Sequence, residues 1–249
     1  MSLDFTPCPA SAAVHRRVLG YARYEFGLLA RNGEQLLLTI VIPVALLFGL
    51  ATFGERIGVA RPQVTASVIA VAVIASAFTS LAIATSFERR SASLQLFATT
   101  PLTAIDVLAG KALTIAATET LQLVIILVIA AFLGLGPFAV LPMLIVLILG
   151  TLCFASLGFF IAGTLRAEAV LAVANGLFLF FLVACGLTVP LTAFPPLWSA
   201  VMQYTPATAL LTALNGAIGG AFLIMPMCVI VAWGILAAVL ARFTFRWDS

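Results

Sequence analysis

The chain has 249 residues, of which 63% are hydrophobic and only 8% charged, with 12 Lys and Arg against 9 Asp and Glu and a net charge of +3. A soluble domain carries about 25% charged residues, so this composition cannot cover a water-exposed surface; it also excludes a disordered chain and a basic nucleic-acid-binding surface. The mean hydropathy of +1.23 spreads the apolar excess over the whole length, which describes an integral membrane protein and not a soluble domain on one anchor.

In chain order, the first predicted element is an interfacial amphipathic helix within 10–33. On a wheel of 100° per residue Val14, Val18, Leu19, Ala22, Phe26 and Leu29 share one side, and Arg16, Arg17, Arg23, Tyr24 and Arg31 the other. Such a helix lies among lipid headgroups with its arginines toward anionic lipid or protein. Glu25 falls within the apolar arc, which is costly unless it meets a cation. His15, beside arginines, reads as solvated. The Arg16-Arg17 pair is followed by no apolar core before Leu36 and no cleavage site, so a signal peptide is not expected.

Long uncharged runs then predict six membrane-spanning helices at 36–53, 64–86, 112–133, 138–163, 169–189 and 222–241, about 20 residues per crossing, in one transmembrane domain over 1–249. The runs are continuously apolar and lack the period-2 alternation of a β-barrel. Ten of the basic residues fall on one side of these spans, and only Arg56 and Arg61 on the other, which orients both termini to the cytoplasm. The scattered Cys8, Cys153, Cys185 and Cys228 read as packing residues.

Between the second and third spans, Glu88, Arg89 and Arg90 open a segment too elaborate for a plain turn. It continues as a short helix with Leu94 and Phe97 exposed, passes Thr100, stops at Pro101 and restarts after a Thr103 N-cap with Asp106 at N3. A helix of this kind at the membrane surface suits docking into a partner's groove. In the third span Glu119 lies eight residues beyond Lys111, about 12 Å along the axis. An intramembrane acid is either part of a pathway or gate, or an anchor to a neighbouring helix; Thr114, Thr118 and Gln122 on the same helix could serve it. Arg166 and Glu168, in the next short loop on that side, are a second docking contact or a plain orienting turn. Asn175, Phe178 and Phe181 in the fifth span could line an apolar pathway, or the aromatics could face lipid.

From 169 to 241 runs a stretch of 73 residues without a charged side chain, too long for one span. Its middle, 190–220, is rich in Pro, Gly and Thr with interfacial aromatics, and is expected to form short re-entrant helices that dip in from the outer face. Non-helical backbone at that depth requires a covering of protein or a cavity.

The run Glu88-Arg89-x-x-x-x-Leu94-x-x-Phe97-x-x-Thr100-Pro101-Leu102-Thr103, ending at Gly110-Lys111, resembles the E-R-E-x-G-T-L-E-x-L-x-x-T-P-L-S segment of permeases of the ABC type-2 transporter family, with Arg90, Ala92, Ser93 and Gln95 departing from it. Tyr24-Glu25-Phe26 through Arg31-Asn32 before a span containing Pro43, and Phe194-Pro195-Pro196-Leu197-Trp198 followed by Thr205-Pro206, resemble the family's entry and its outer region. The resemblance implies a plasma-membrane half-transporter in which two permeases, identical or homologous, sit on two separate ATP-binding cassette subunits. Residues 88–101 would be its coupling helix, holding Glu88, Arg89, Arg90, Leu94, Phe97, Thr100 and Pro101 against the partner. Charge reversal at Glu88 and Arg89 should then uncouple hydrolysis from transport without unfolding the spans.

The chain has no G-x-x-x-x-G-K-[ST]: Ile105 stands where the first glycine would be and Ala112 follows Lys111. No cofactor is therefore expected in this chain, and ATP and Mg would be bound by the partners. The expected activity is non-catalytic export of a hydrophobic or amphiphilic drug or antibiotic, with a lipid or lipid-linked glycan as the alternative cargo. A proton-coupled secondary transporter using Glu119 is the rival from another class, although no internal repeat supports it.

Overall fold

A computed structural model describes residues 12–31, 33–91, 100, 102–136 and 138–244, the side chains of 34–39 and 104 excepted. Among these residues all regular structure is helical: α1 (Val14–Arg31), α2 (Gly33–Phe53), α3 (Arg61–Arg90), α4 (Ala104–Phe132), α5 (Val140–Thr164), α6 (Ala167–Ala184), α7 (Pro196–Met202), α8 (Pro206–Ile218) and α9 (Ile224–Thr244), with short 3-10 turns at Gly54–Ile57 and Leu191–Ala193. Six of them, α2 to α6 and α9, are long and apolar enough to cross a membrane. The chain is a multi-pass helical membrane protein. The third crossing helix begins at Ala104, after the expected Thr103 N-cap with Asp106 at N3, and runs unbroken through Gly110 and Lys111 into the apolar run.

Helix α3 is the centre of the bundle, touched by α2, α4, α5, α6 and α8. Every residue from Val64 to Val73 is buried. Alanine and serine at Ala66, Ser67, Ala70, Ala72 and Ala77 let neighbouring backbones come close, the packing mode available where lipid offers no hydrophobic drive between helices. The middle of α3, Ile74–Ser80, is π-helical. Gly158 of α5 lies against it, and a Cβ there would sit 3.1 Å from the Phe78 carbonyl oxygen and 3.3 Å from that of Ala77. Phe78, Phe154 and Phe181 meet edge to face beside this crossing, with ring centroids 5.9 to 6.3 Å apart. Phe181 thus belongs to the packed core of this chain. Phe178 packs partly buried against the same cluster, and Asn175 is exposed on the outside of α6.

Helices α5 and α9 form the most extensive pair, their backbones meeting where a Cβ on Gly234 would lie 3.2 Å from the Cys153 Cα. Helix α8 is buried against α3, α5 and α9. At 13 residues it extends about 20 Å, short of the ~30 Å hydrocarbon core. Three bonds seat its entry: Trp198 Nε1 donates to the Ala184 carbonyl (3.0 Å), Thr208 Oγ1 to that of Cys185 (2.7 Å), and Trp233 Nε1 to that of Tyr204 (2.9 Å). Trp233 is about 14 Å along α9 from Ile224, so the chain turns at Tyr204 beside the middle of that helix. The Ile218 carbonyl at the far end of α8 accepts from Ala139 N, just before α5.

The close α3–α5 crossing gives a direct test. Gly158→Leu should destabilise the protein by about 1–3 kcal/mol through overpacking. Gly176→Leu, at a site where an added Cβ meets nothing within 4 Å, should leave the thermal midpoint in lipid nearly unchanged.

Candidate functional site: a buried charge junction

At one end of the bundle, α1 lies across α4, with Tyr21 and Ala22 buried and a Cβ on Gly110 ruled out by the Tyr21 ring at 2.5 Å. The face that α1 turns inward carries Arg17, Tyr21 and Glu25, one every four residues, while Val14, Leu19, Phe26 and Leu28 are exposed. Arg17 therefore does not join the outward arginines: its Nε donates to Asp106 Oδ2 at 3.0 Å. Asp106 also accepts from Thr103 N (2.9 Å) while Asp106 N donates to Thr103 Oγ1, so the capping box at the start of α4 is tied to α1.

Lys111 is the hub. It is 2% exposed, and its Nζ donates to Glu25 Oε1 of α1 (2.6 Å) and Glu88 Oε1 of α3 (2.7 Å). Tyr21 OH donates to the same Glu25 oxygen at 2.5 Å, and its ring lies 5.9 Å from Nζ. Burial, then the Glu25 hydrogen bond and the Glu88 charge, push the Tyr21 phenol up, so it remains protonated and donating. Thr114 Oγ1 adds a bond to the Ala22 carbonyl at 3.2 Å. The cation that Glu25 requires thus comes from a helix 86 residues away.

Arg89 turns into the protein. Its guanidinium donates to the carbonyls of Gly163 (2.7 Å) and Leu165 (2.5 Å), filling acceptors left open at the end of α5 and placing a cation at the negative end of that helix. Arg90, by contrast, pairs on the surface with Glu168, joining the start of the 88–101 segment to the α5–α6 turn, where Arg166 is exposed. Thr100 is exposed; Leu94, Phe97 and Pro101 lie outside the described residues. The geometry corrects one expectation: reversing Arg89 would press a carboxylate onto two carbonyls, and reversing Glu88 would take a carboxylate from Lys111, so neither change is neutral to the fold.

Deeper along α4, Glu119 is 4% exposed and accepts from Ser76 Oγ in the π-helical part of α3 (3.0 Å) and from Thr151 Oγ1 of α5. Thr118 and Thr114 instead return hydrogen bonds to carbonyls, Thr118 to Thr114 O at 2.9 Å. Ser76 and Thr151 carried no signal in the sequence, since a lone hydroxyl in an apolar run says nothing of what it faces. Among the described residues no group of three or more His, Cys, Asp or Glu could hold a metal ion.

The family model described as ABC-2 type transporter matches residues 12–219. No curated protein matches the chain.

The junction predicts a hierarchy of losses. Lys111→Met leaves Glu25 and Glu88 facing each other without their cation and should cost about 3–5 kcal/mol, the scale for breaking a buried pair. Exchanging the exposed pair as Arg90→Glu with Glu168→Arg should barely move the thermal midpoint. Melting the purified variants in lipid checks both.

Proposed function

This chain belongs to the ABC-2 type transporter family, and from that premise, a permease of an ABC transporter, we propose that it is the membrane subunit of an ATP-driven exporter, energised by separate ATP-binding subunits. The segment at 88–101 is its docking element for such a subunit. The observation that carries this reading is how the segment is mounted. At its start Glu88 holds Lys111, Arg89 holds the end of α5 and Arg90 holds Glu168; at its end the Thr103–Asp106 box holds Arg17. A push on the segment therefore reaches α1, α3, α4, α5 and α6 through bonds at both feet.

In this reading Leu94, Phe97, Thr100 and Pro101 meet the partner, while Glu88 and Arg89 act behind them as mounts. Arg166, exposed beside the Arg90–Glu168 pair, supplies a secondary contact. ATP and Mg belong to the partner, whose binding and hydrolysis bias the inward- and outward-facing states differently. The positively charged loops support a cytoplasmic position for the junction end and both termini. The α7–α8 hairpin then enters from the outer side of the plasma membrane.

A second copy of the chain, or a homologous permease, completes the transporter. Asn175 supports a face on α6 for it, because an exposed amide is expensive against lipid and finds hydrogen bonds against protein or in a hydrated path. The bundle surface is otherwise apolar, as on α2, α6 and α9, which favours a hydrophobic or amphiphilic cargo such as a drug or antibiotic over a lipid-linked glycan.

The test is reconstitution with an ATP-binding subunit in lipid. Leu94→Ala with Phe97→Ala should leave the melting midpoint of the permease intact and lower cargo-stimulated hydrolysis at least about 5-fold, the lower edge of coupling energies of ~1–3 kcal/mol. Undiminished stimulation in that variant would remove the docking assignment, and failure of every ATP-binding subunit to co-purify would remove the exporter reading itself.

A further inference from the structure

Among the described residues Glu119 is the one acid placed deep in the bundle whose partners hold no charge. On α3 the group that meets it is Ser76, and the charges of that helix are confined to Arg61 at one end and Glu88, Arg89 and Arg90 at the other. Helix α5 carries no charged residue and offers Thr151. Helix α2 has Glu34 near its start, and α4 itself has Asp106, engaged with Arg17, and Lys111, two turns away and already bonded to Glu25 and Glu88. An ionised carboxylate there would rest on two neutral hydroxyls in a water-poor interior, an arrangement that burial penalises heavily.

Counting hydrogens leads to the same place. Ser76 Oγ lies 2.9 Å from the Ala72 carbonyl as well as 3.0 Å from Glu119 Oε1, and Thr151 Oγ1 lies 2.9 Å from the Leu147 carbonyl while also touching Glu119 Oε2. Each hydroxyl has one hydrogen. If the carboxyl is ionised, both hydrogens go to it and the two carbonyl contacts set lone pairs against each other. If it is neutral, its own O–H donates to Thr151 Oγ1, which passes a hydrogen to Leu147, so three of the four contacts hold a hydrogen where the ionised state fills two. Ser76 lies within the π-helical stretch of α3, and such stretches recur at functional positions.

A cleft of about 60 Å³ runs from Glu25 and Lys111 to Ser76 and Thr118, and reaches Glu119 through its bond to Ser76. Ser80 and Thr114 put hydroxyls along walls otherwise formed by Leu29, Leu81, Ala84 and Ile115. We propose that Glu119 is a proton-binding site: a neutral carboxyl that latches α4 to the π-helical part of α3 and to α5, and that exchanges its proton through this cleft from the Lys111–Glu25 end. Losing the proton places a carboxylate without a cation between three helices, where its lost hydration weakens the tie. The latch holds at low pH and releases as pH rises. It rests on the geometry of this chain and stands or falls independently of any ATP-binding partner.

Infrared spectroscopy of the full chain in lipid tests it. The expected result is a carboxylic-acid carbonyl band that is absent from Glu119→Gln, shrinks as pH is raised, and moves to higher frequency in Thr151→Val, where its hydrogen bond is gone. In heavy water the band should shift promptly, and Ser80→Leu, which fills the cleft, should slow that shift severalfold while keeping the band. A carboxylate signal for Glu119 at every pH would overturn the site, as would an acid band indifferent to pH. Exchange as fast in Ser80→Leu as in the parent chain would overturn the route. Because Thr151→Val reports on the same band, the assignment survives even if Glu119→Gln does not fold.

Discussion

A lysine ammonium cannot be withdrawn from water unless carboxylates meet it, and this single requirement organises one end of the molecule. Lys111 is reached by Glu25 from α1 and Glu88 from α3, so three helices converge on one nitrogen. Without the two acids the cation would be untenable, and without the cation each acid would be a charge in a poor solvent. The position of α1 follows: a helix with an apolar outer face would otherwise float free in the lipid interface, but Arg17, Tyr21 and Glu25 bind it into the bundle. The outer face mixes Leu19, Phe26 and Leu28 with Arg16, Arg23 and Arg31, while the inner face sets Arg17, Tyr21 and Glu25 beside Ala22.

The same logic runs inward with weaker partners. Arg89 spends its charge on carbonyls that the end of α5 leaves open, and Glu119 meets only hydroxyls. Polar groups thus face the seams between α1, α3, α4 and α5, whereas α2, α6 and α9 show long apolar faces outward. Small residues on α3 and at Gly158 and Gly234 bring the backbones close enough for these short bonds to form. A bundle built this way has one stiff half, rich in mutual ties around α3, and an outer shell held chiefly by contact.

Much of this was legible in residue patterns. The six crossing helices follow from run length, and the Thr103–Asp106 cap follows from a local spacing whose partners are three residues apart. Glu25 was visible as an acid in need of a cation, although nothing local named Lys111. What stayed hidden was long-range. Arg17 and Arg89 look like surface arginines on a helical wheel, because a wheel gives a side chain's direction but not what stands there. The start of the helix of the third crossing is carried by its cap, ahead of the apolar run. Phe181 read as a lipid or pathway residue because its partners Phe78 and Phe154 come from two other helices. The π-helical stretch has no signature in composition at all, and with it went Ser76.

For a transporter permease the consequence is mechanical. A joint of buried ion pairs is short-ranged and brittle, so α1 and the first turns of α4 move together or the joint breaks. The two helices then move together throughout the cycle. The most direct measurement joins Ala22→Cys to Thr114→Cys by a disulfide in a chain whose native cysteines are serine, at the point where Thr114 Oγ1 lies 3.2 Å from the Ala22 carbonyl. Transport by the complete complex is then compared before and after reduction. Equal transport in both states is the predicted result; transport that stops when the bond is closed and returns on reduction would show that α1 must slide on α4, and would contradict the account.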